Sequence, residues 1–294
     1  MTTKFETRPL DDAARAAASG QFVRLSDGMT HYELAGPEDG PPVTLVHGFS
    51  VPSYIWDPTF AALAAAGMRV LRYDLFGRGF SDRPQLRYDR ELFDRQLAEL
   101  LDALDFPRPT GLAGLSMGGP IVAVYTQRRP EQVSRLALLD PAGLALPESL
   151  PARLVKLPLI GDWIMDAVGD KVLLGNLKKD IKDPSQAESY IERFKQQMAF
   201  PGFKRALLST MRSGVLTHAA DAYAAVGKLP IPVLLIWGEE DEVVPYHLSE
   251  TLRQLIPQAR FHAISNAGHV PSLERPAVVN PLLISFFGVN PDVR

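Results

Sequence analysis

The sequence predicts an α/β chain with a mostly parallel, eight-stranded sheet flanked by helices and a helical segment inserted late in the chain. Three observations predict it. Short apolar runs alternate with helical patterns through most of the 294 residues. Runs such as Pro42-Val-Thr-Leu-Val46 and Val133-Ser-Arg-Leu-Ala-Leu-Leu139 are rich in branched apolar residues, as strands covered on both faces should be. The alternation then stops between 143 and 228, where Pro147, Pro151, Pro158, Gly161, Gly169 and Gly175 chop a helical pattern into short pieces.

A short helix is expected at 11–18, followed by strands at 22–25, 30–35, 43–47, 68–74, 110–115, 133–140, 233–238 and 259–265. The clearest helix between strands is 89–104, where Phe93, Leu97, Leu100, Leu101 and Leu104 share one face. Others are expected near 57–66, 117–129, 247–256 and 276–287. Inside the insertion, Asp183-Pro184-Ser185-Gln186 has the composition of a helix start, with an N-cap Asp and Pro at the first helical position. Ala187, Tyr190, Ile191, Phe194 and Met198 follow at helical spacing, and Pro201 opens a helix bearing Phe203, Leu207 and Met211. The division expected is a discontinuous core, 21–142 and 229–290, with a helical cap at 143–228. The cap carries net charge +3 against -6 for the rest, which solvated helix faces explain as well as an anionic ligand does.

Composition narrows the function classes. An apolar fraction of 46% permits a large core, and a net charge of -3 provides no basic face for nucleic acid. The absence of cysteine excludes disulfides and thiol chemistry. The six histidines lie scattered without ligand spacing, so no metal and no cofactor is expected. The first ten residues hold no signal-like apolar run, and no stretch approaches the roughly 20 apolar residues of a membrane span. A cytoplasmic protein without an integral membrane segment is the expectation. Oligomeric state leaves no mark in the sequence.

The chemistry centres on Gly114-Leu115-Ser116-Met117-Gly118, between the strand 110–115 and the helix from about Met117. A serine on a sharp strand-to-helix turn projects its hydroxyl from the sheet end, and flanking small residues let the turn close. A serine hydroxyl needs a base. His269, in a loop past the last predicted strand, would reach the same sheet edge. The imidazole needs a carboxylate to hold its tautomer. After the strand 233–238, the segment Trp237-Gly-Glu-Glu-Asp-Glu-Val-Val-Pro245 offers four acids. Asp241 is the choice, with Glu239, Glu240 and Glu242 solvated; Asp140, at the end of strand 133–140, is the rival. Oxyanion donors are expected from the backbone N–H of Met117 and, through the turn His47-Gly48, of Phe49. His47 is read as a structural residue of that loop.

With these motifs in place, the chain resembles the α/β-hydrolase superfamily over essentially its whole length. The order Ser116, Asp241, His269, the His47-Gly48-Phe49 loop and the segment Tyr73-Asp-Leu-Phe-Gly-Arg-Gly-Phe-Ser-Asp82 carry the resemblance. The last is similar to the superfamily's D-x-x-G-x-G-x-S turn, in which Asp74 and Gly77 would shape the loop. Within the superfamily the chain looks most like carboxylesterases and monoacylglycerol-lipase-like enzymes with Gly-x-Ser-Met-Gly-Gly. Haloalkane dehalogenases and epoxide hydrolases use an Asp nucleophile, which Ser116 argues against. Carbon–carbon bond hydrolases share Ser-Met-Gly-Gly, but usually have a Gly-rich loop where this chain has Phe49-Ser-Val-Pro52. The resemblance thus implies hydrolysis of small to medium acyl esters through an acyl-enzyme. Carbon–carbon hydrolysis, thioester hydrolysis or acyl transfer on the same triad stay open. A non-enzymatic scaffold would be expected to have lost part of this set. Trp163, Phe194, Met198, Phe200 and Phe203 are the candidates for the acyl pocket.

Overall fold

The structure is a computed structural model that describes residues 5–145, 150–180 and 184–288. Its eight strands are β1 (Gln21–Leu25), β2 (Gly28–Ala35), β3 (Pro42–Val46), β4 (Arg69–Tyr73), β5 (Thr110–Leu115), β6 (Val133–Leu139), β7 (Val233–Gly238) and β8 (Arg260–Ile264). They form one sheet in the order β1-β2-β4-β3-β5-β6-β7-β8. Only the β1–β2 and β2–β4 pairings are antiparallel; the other five are parallel. Every residue of β5 and β7 is buried, which is why both read as apolar runs without alternation.

Helices cover both faces. On one side lie α3 (Arg90–Ala103) and α4 (Gly118–Arg128), with α10 (Ala220–Val226) and α11 (Leu248–Leu255). Asp89 caps α3 by accepting the N–H groups of Glu91 and Leu92, both at 3.1 Å. Its buried face carries Phe93, Leu97, Leu100 and Leu101, at the spacing the sequence predicts. On the other side lie α2 (Asp57–Ala65), α12 (Pro271–Glu274) and α13 (Pro276–Gly288). A short N-terminal helix, α1 (Asp12–Ala16), precedes the sheet.

Between β6 and β7 the chain is helical throughout its described residues apart from turns. Here lie α5 (Leu150–Lys156), α6 (Ile160–Ile164), a π-turn (Met165–Gly169), α7 (Asp170–Asp180), α8 (Pro184–Met198) and α9 (Phe203–Ser213), before α10. Side chains of α7, α8 and α9 join the apolar cluster that also holds α2 and α13. By contrast α10 packs on α4 and α11, in the layer of the core helices. The expected N-cap Asp183 and the break at Pro147 lie outside the described residues. Among those residues no helix is long and apolar enough to cross a membrane.

The sheet places β3, β5, β6, β7 and β8 with their C-terminal ends along one edge, so the loops that leave them gather there. At β5 the backbone turns sharply: Ser116 sits at φ 52°, a left-handed conformation that a residue with a Cβ rarely adopts. Its N–H donates to the Leu139 carbonyl at 2.9 Å, and its carbonyl accepts from Gly119 and Ala142 at 2.9 and 3.0 Å. A Cβ at Gly118 would collide with the carbonyl oxygen of Val46, so α4 approaches β3 only because that position is bare. Gly118→Ala should therefore destabilise the protein by about 1–3 kcal/mol in urea unfolding. Gly175→Ala, in α7 with nothing within 4 Å of the added methyl, should instead stabilise by up to about 1 kcal/mol. Equal midpoints for the two variants would contradict this packing.

Candidate active site

Ser116, Asp241 and His269 leave β5, β7 and β8 and meet at the sheet edge. His269 Nε2 lies 2.9 Å from Ser116 Oγ, and its Nδ1 lies 2.8 Å from Asp241 Oδ2. In the neutral tautomer this geometry calls for, Nδ1–H donates to the carboxylate and Nε2 accepts from the serine hydroxyl. Asp241 has no exposed side-chain surface, and His269 only 12%. The second oxygen of Asp241 accepts the N–H groups of Val243 and Val244 at 2.8 and 2.9 Å, so the carboxylate is fixed from both sides. Glu239, Glu240 and Glu242 are exposed around it.

The rival acid, Asp140, ends β6 with no exposed surface. Its Oδ1 accepts the N–H of Gly238 at 2.9 Å and makes no bond to His269. Burial, then the neighbouring charge of Asp241, holds its carboxyl well above the usual carboxylate range.

The loop after β3 runs beside the serine: a Cβ on Gly48 would stand 3.2 Å from that of Ser116. Among the described residues, no protein acceptor engages the N–H of Phe49 or of Met117. The loop itself is pinned at successive residues. His47 accepts the Leu75 N–H on Nε2 and donates from Nδ1 to the Gly48 carbonyl, both at 2.9 Å. Arg78, fully buried, donates to the Phe49 carbonyl at 2.8 Å and to Thr210 of α9 at 2.9 Å. Gln197 of α8 donates to the Ser50 carbonyl at 2.8 Å. Asp74 accepts from the N–H and the hydroxyl of Ser53, from the Phe80 N–H and from His31.

Charge follows from burial. Complete burial pushes His47 down to about 4, partly opposed by the charge of Asp74 and reinforced by that of Arg78. Burial also pushes Arg78 down to about 9. For His31 the carboxylate of Asp74 outweighs the burial penalty and raises its affinity for a proton.

A cavity of about 800 Å³ opens at Ser116. Its described lining includes Phe49, Val51, Ile55, Leu115, Leu173 and Leu177. The ionisable lining residues are Glu239, Glu240, Asp241, Glu242, Glu274 and His269, with no Lys or Arg among the described ones. The expected pocket aromatics are elsewhere. Trp163 is 68% exposed on α6. Phe194 and Phe203 pack edge to face at 5.9 Å between α8 and α9, inside the apolar cluster that also takes Met198. Phe200 packs against Phe80 at 5.7 Å, with the Arg83 guanidinium over its ring. Helical spacing marks an apolar face, but it does not say which surface that face covers. Here it glues the insertion to the core, and Leu173 and Leu177 of α7 face the cavity instead.

Sequence reasoning also missed Glu274. Its carboxylate accepts the N–H groups of Gly268 and Val270 at 3.0 and 3.1 Å, pinning the residues on both sides of His269. The available signal was Pro271-Ser-Leu-Glu274, a short helix start with an acid reaching back.

The family described as alpha/beta hydrolase fold matches residues 41–276. The chain is similar to 2-hydroxymuconate semialdehyde hydrolase of Pseudomonas sp. strain CF600, 28% identical over 249 residues, 81% of this chain and 83% of that one. It is similar to Lipase 3 of Moraxella sp. strain TA144, also 28% identical over 251 residues, 80% and 73% of the two chains. Among solved structures, the meta-cleavage product hydrolase of Pseudomonas fluorescens IP01 superposes with a TM-score of 0.74 at 27% identity, over 92% of this chain and 97% of that one.

Two outcomes follow from burial at and behind the site. Phe194→Ala and Phe203→Ala should each cost about 3–5 kcal/mol of stability, read by urea unfolding; a loss below 1 kcal/mol would contradict the packing described. The unfolded chain takes up a proton near pH 6.5 that folded His47 refuses until about 4. Its contribution is therefore complete above pH 6.5 and is lost as pH falls toward 4, by up to about 3 kcal/mol. The stability deficit of His47→Gln relative to wild type should shrink across that window. A deficit constant from pH 7.5 to 4 would contradict a neutral His47.

Proposed function

Given that the chain belongs to the α/β-hydrolase fold family, we propose that it hydrolyses carboxylic esters of small to medium acyl groups through a Ser116–His269–Asp241 triad. The observation that carries this reading is the continuous pair of hydrogen bonds, at 2.8 and 2.9 Å, from Asp241 through His269 to the hydroxyl of Ser116. His269 takes the hydroxyl proton as Ser116 Oγ adds to the ester carbonyl carbon. The N–H groups of Phe49 and Met117 receive the oxyanion, and neither has a competing protein acceptor among the described residues. Collapse breaks the bond to the alcohol, which leaves with the proton from His269. Water, deprotonated by the same imidazole, then cleaves the acyl-serine and releases the acid.

A second reading, carbon–carbon bond hydrolysis, is favoured by the similarity to proteins named for it. The acidic lining weighs against it, since a substrate such as a muconate semialdehyde carries a carboxylate. Five carboxylates and no described cation around the cavity would repel an anion and admit an uncharged ester. In the ester reading the helices α5 to α9 form the cap, and Leu173 and Leu177 bound the acyl group.

Ser116→Ala should lower kcat on p-nitrophenyl esters by about 10⁶-fold and abolish labelling by organophosphates. Asp241→Asn should cost about 10⁴-fold. Near-native ester turnover by Ser116→Ala would overturn the proposal. A wild-type panel of uncharged esters against anionic vinylogous diketones should show higher kcat/KM for the esters; the reverse order would favour the second reading. Leu177→Ala should shift preference toward bulkier acyl groups by about 1–3 kcal/mol in relative kcat/KM. An unchanged acyl-length profile would remove α7 from the pocket.

A further inference from the structure

Asp140 is a fully buried acid that the chemistry above does not use. One oxygen, Oδ1, accepts the Gly238 N–H. The other, Oδ2, is buried with no hydrogen-bond donor within reach. Asp140 leaves β6 beside β7, and Gly238, which donates to it, in turn accepts the N–H of Asp241 at 3.3 Å, so the two acids share one turn. Asp241 is committed: its two oxygens already accept from Val243, Val244 and His269. Two neighbouring buried carboxylates cannot both be kept ionised, and one must keep a proton. Asp241 receives three N–H donors and Asp140 only one, so the proton belongs on Asp140. An ionised Asp140 would also leave the charged Oδ2 buried with no donor, an arrangement burial strongly disfavours.

We infer that Asp140 is a neutral carboxylic acid whose Oδ2–H donates to the Asp241 carboxylate, making it the positioning residue that holds Asp241 toward His269. This deepens the triad reading and rests on it for its kinetic consequences. The strand ends set the arrangement. The β6 terminus supplies the donor, the β7 loop the charged acceptor and the β8 loop the imidazole. Asp140 therefore acts three hydrogen bonds away from the reacting serine and touches no substrate. The titratable groups that face this pair are His269, beyond Asp241, and Glu274, whose carboxylate is engaged by the Gly268 and Val270 N–H groups. Burial and the charge of Asp241 both favour the protonated form of Asp140.

The direct test is isotope-edited infrared spectroscopy of the folded protein labelled with [4-¹³C]aspartate, at pH 7. Wild type should show the C=O stretch of a protonated carboxyl group, and Asp140→Asn should lose it. No protonated carboxyl band, or a band that survives in Asp140→Asn, would overturn the assignment. This readout does not depend on the reaction, so it can fail or succeed apart from organophosphate labelling of Ser116, which tests the triad reading.

Kinetics supply the second arm. Asp140→Asn keeps a neutral donor and the acceptor for Gly238, so it should lower kcat only several-fold and leave the acid limb of kcat/KM in place. Asp140→Ala removes the donor and should lower kcat on the order of 10–100-fold, the usual cost of losing an outer partner. If Asp140 were ionised, Asp140→Asn would delete a negative charge near His269 and move the acid limb to lower pH. A downward shift of one pH unit in that variant, or equal losses in Asp140→Asn and Asp140→Ala, would overturn the positioning role.

Discussion

The left-handed turn at Ser116 is the constraint on which the site depends. At φ 52° the residue is held by three backbone hydrogen bonds, to Leu139, Gly119 and Ala142. Those bonds tie the end of β5 to the end of β6 and to the start of α4. Strain of this kind costs about 1–3 kcal/mol and persists only where the surroundings over-determine it. Here they do so by close approach: bare positions at Gly114 and Gly118 let α4 press against β3 and β5. The consequence is a hydroxyl presented to the cavity at a sheet edge, with a helix N-terminus directly behind it.

The second constraint is the loop after β3, which runs close beside that serine. No regular structure holds it. Instead three buried polar side chains do: His47, Asp74 and Arg78. His47 is met by backbone groups alone, Asp74 by two backbone N–H groups, the Ser53 hydroxyl and His31, and Arg78 by two carbonyls and Thr210, as burial of such groups demands. Arg78 also bonds to Thr210, and Gln197 to the Ser50 carbonyl, so the inserted helices α8 and α9 share the loop's anchorage. Displacement of the insertion would therefore reach the loop after β3 through named bonds, while α7 bears on the cavity through Leu173 and Leu177.

Much of this was legible in the sequence. Strand bounds agree within two residues because buried parallel strands are apolar runs bracketed by turn residues, as at 110–115 and 233–238. Ser116, Asp241 and His269 were legible because a parallel sheet delivers successive strand ends to one edge, so loop position predicts proximity. The pocket was not legible. Phe194 and Phe203 have the spacing of an amphipathic face, and the same spacing serves a lid or a glued layer. Arg78 was hidden inside a motif whose Asp and Gly drew the attention, and a buried guanidinium bonded to carbonyls has no sequence signature. In the sequence Asp140 and Asp241 stand as rivals for one role, because it shows two acids near one edge but not which one the imidazole meets.

The covalent intermediate is the most direct test of the central claim. A rapid-quench experiment with a p-nitrophenyl ester, whose good leaving group makes acylation the faster step, would be run on the wild-type protein and followed by peptide mass spectrometry. The account predicts a burst of nitrophenol with the acyl mass added at Ser116. Turnover without any acylated species, or acylation at another residue, would contradict it.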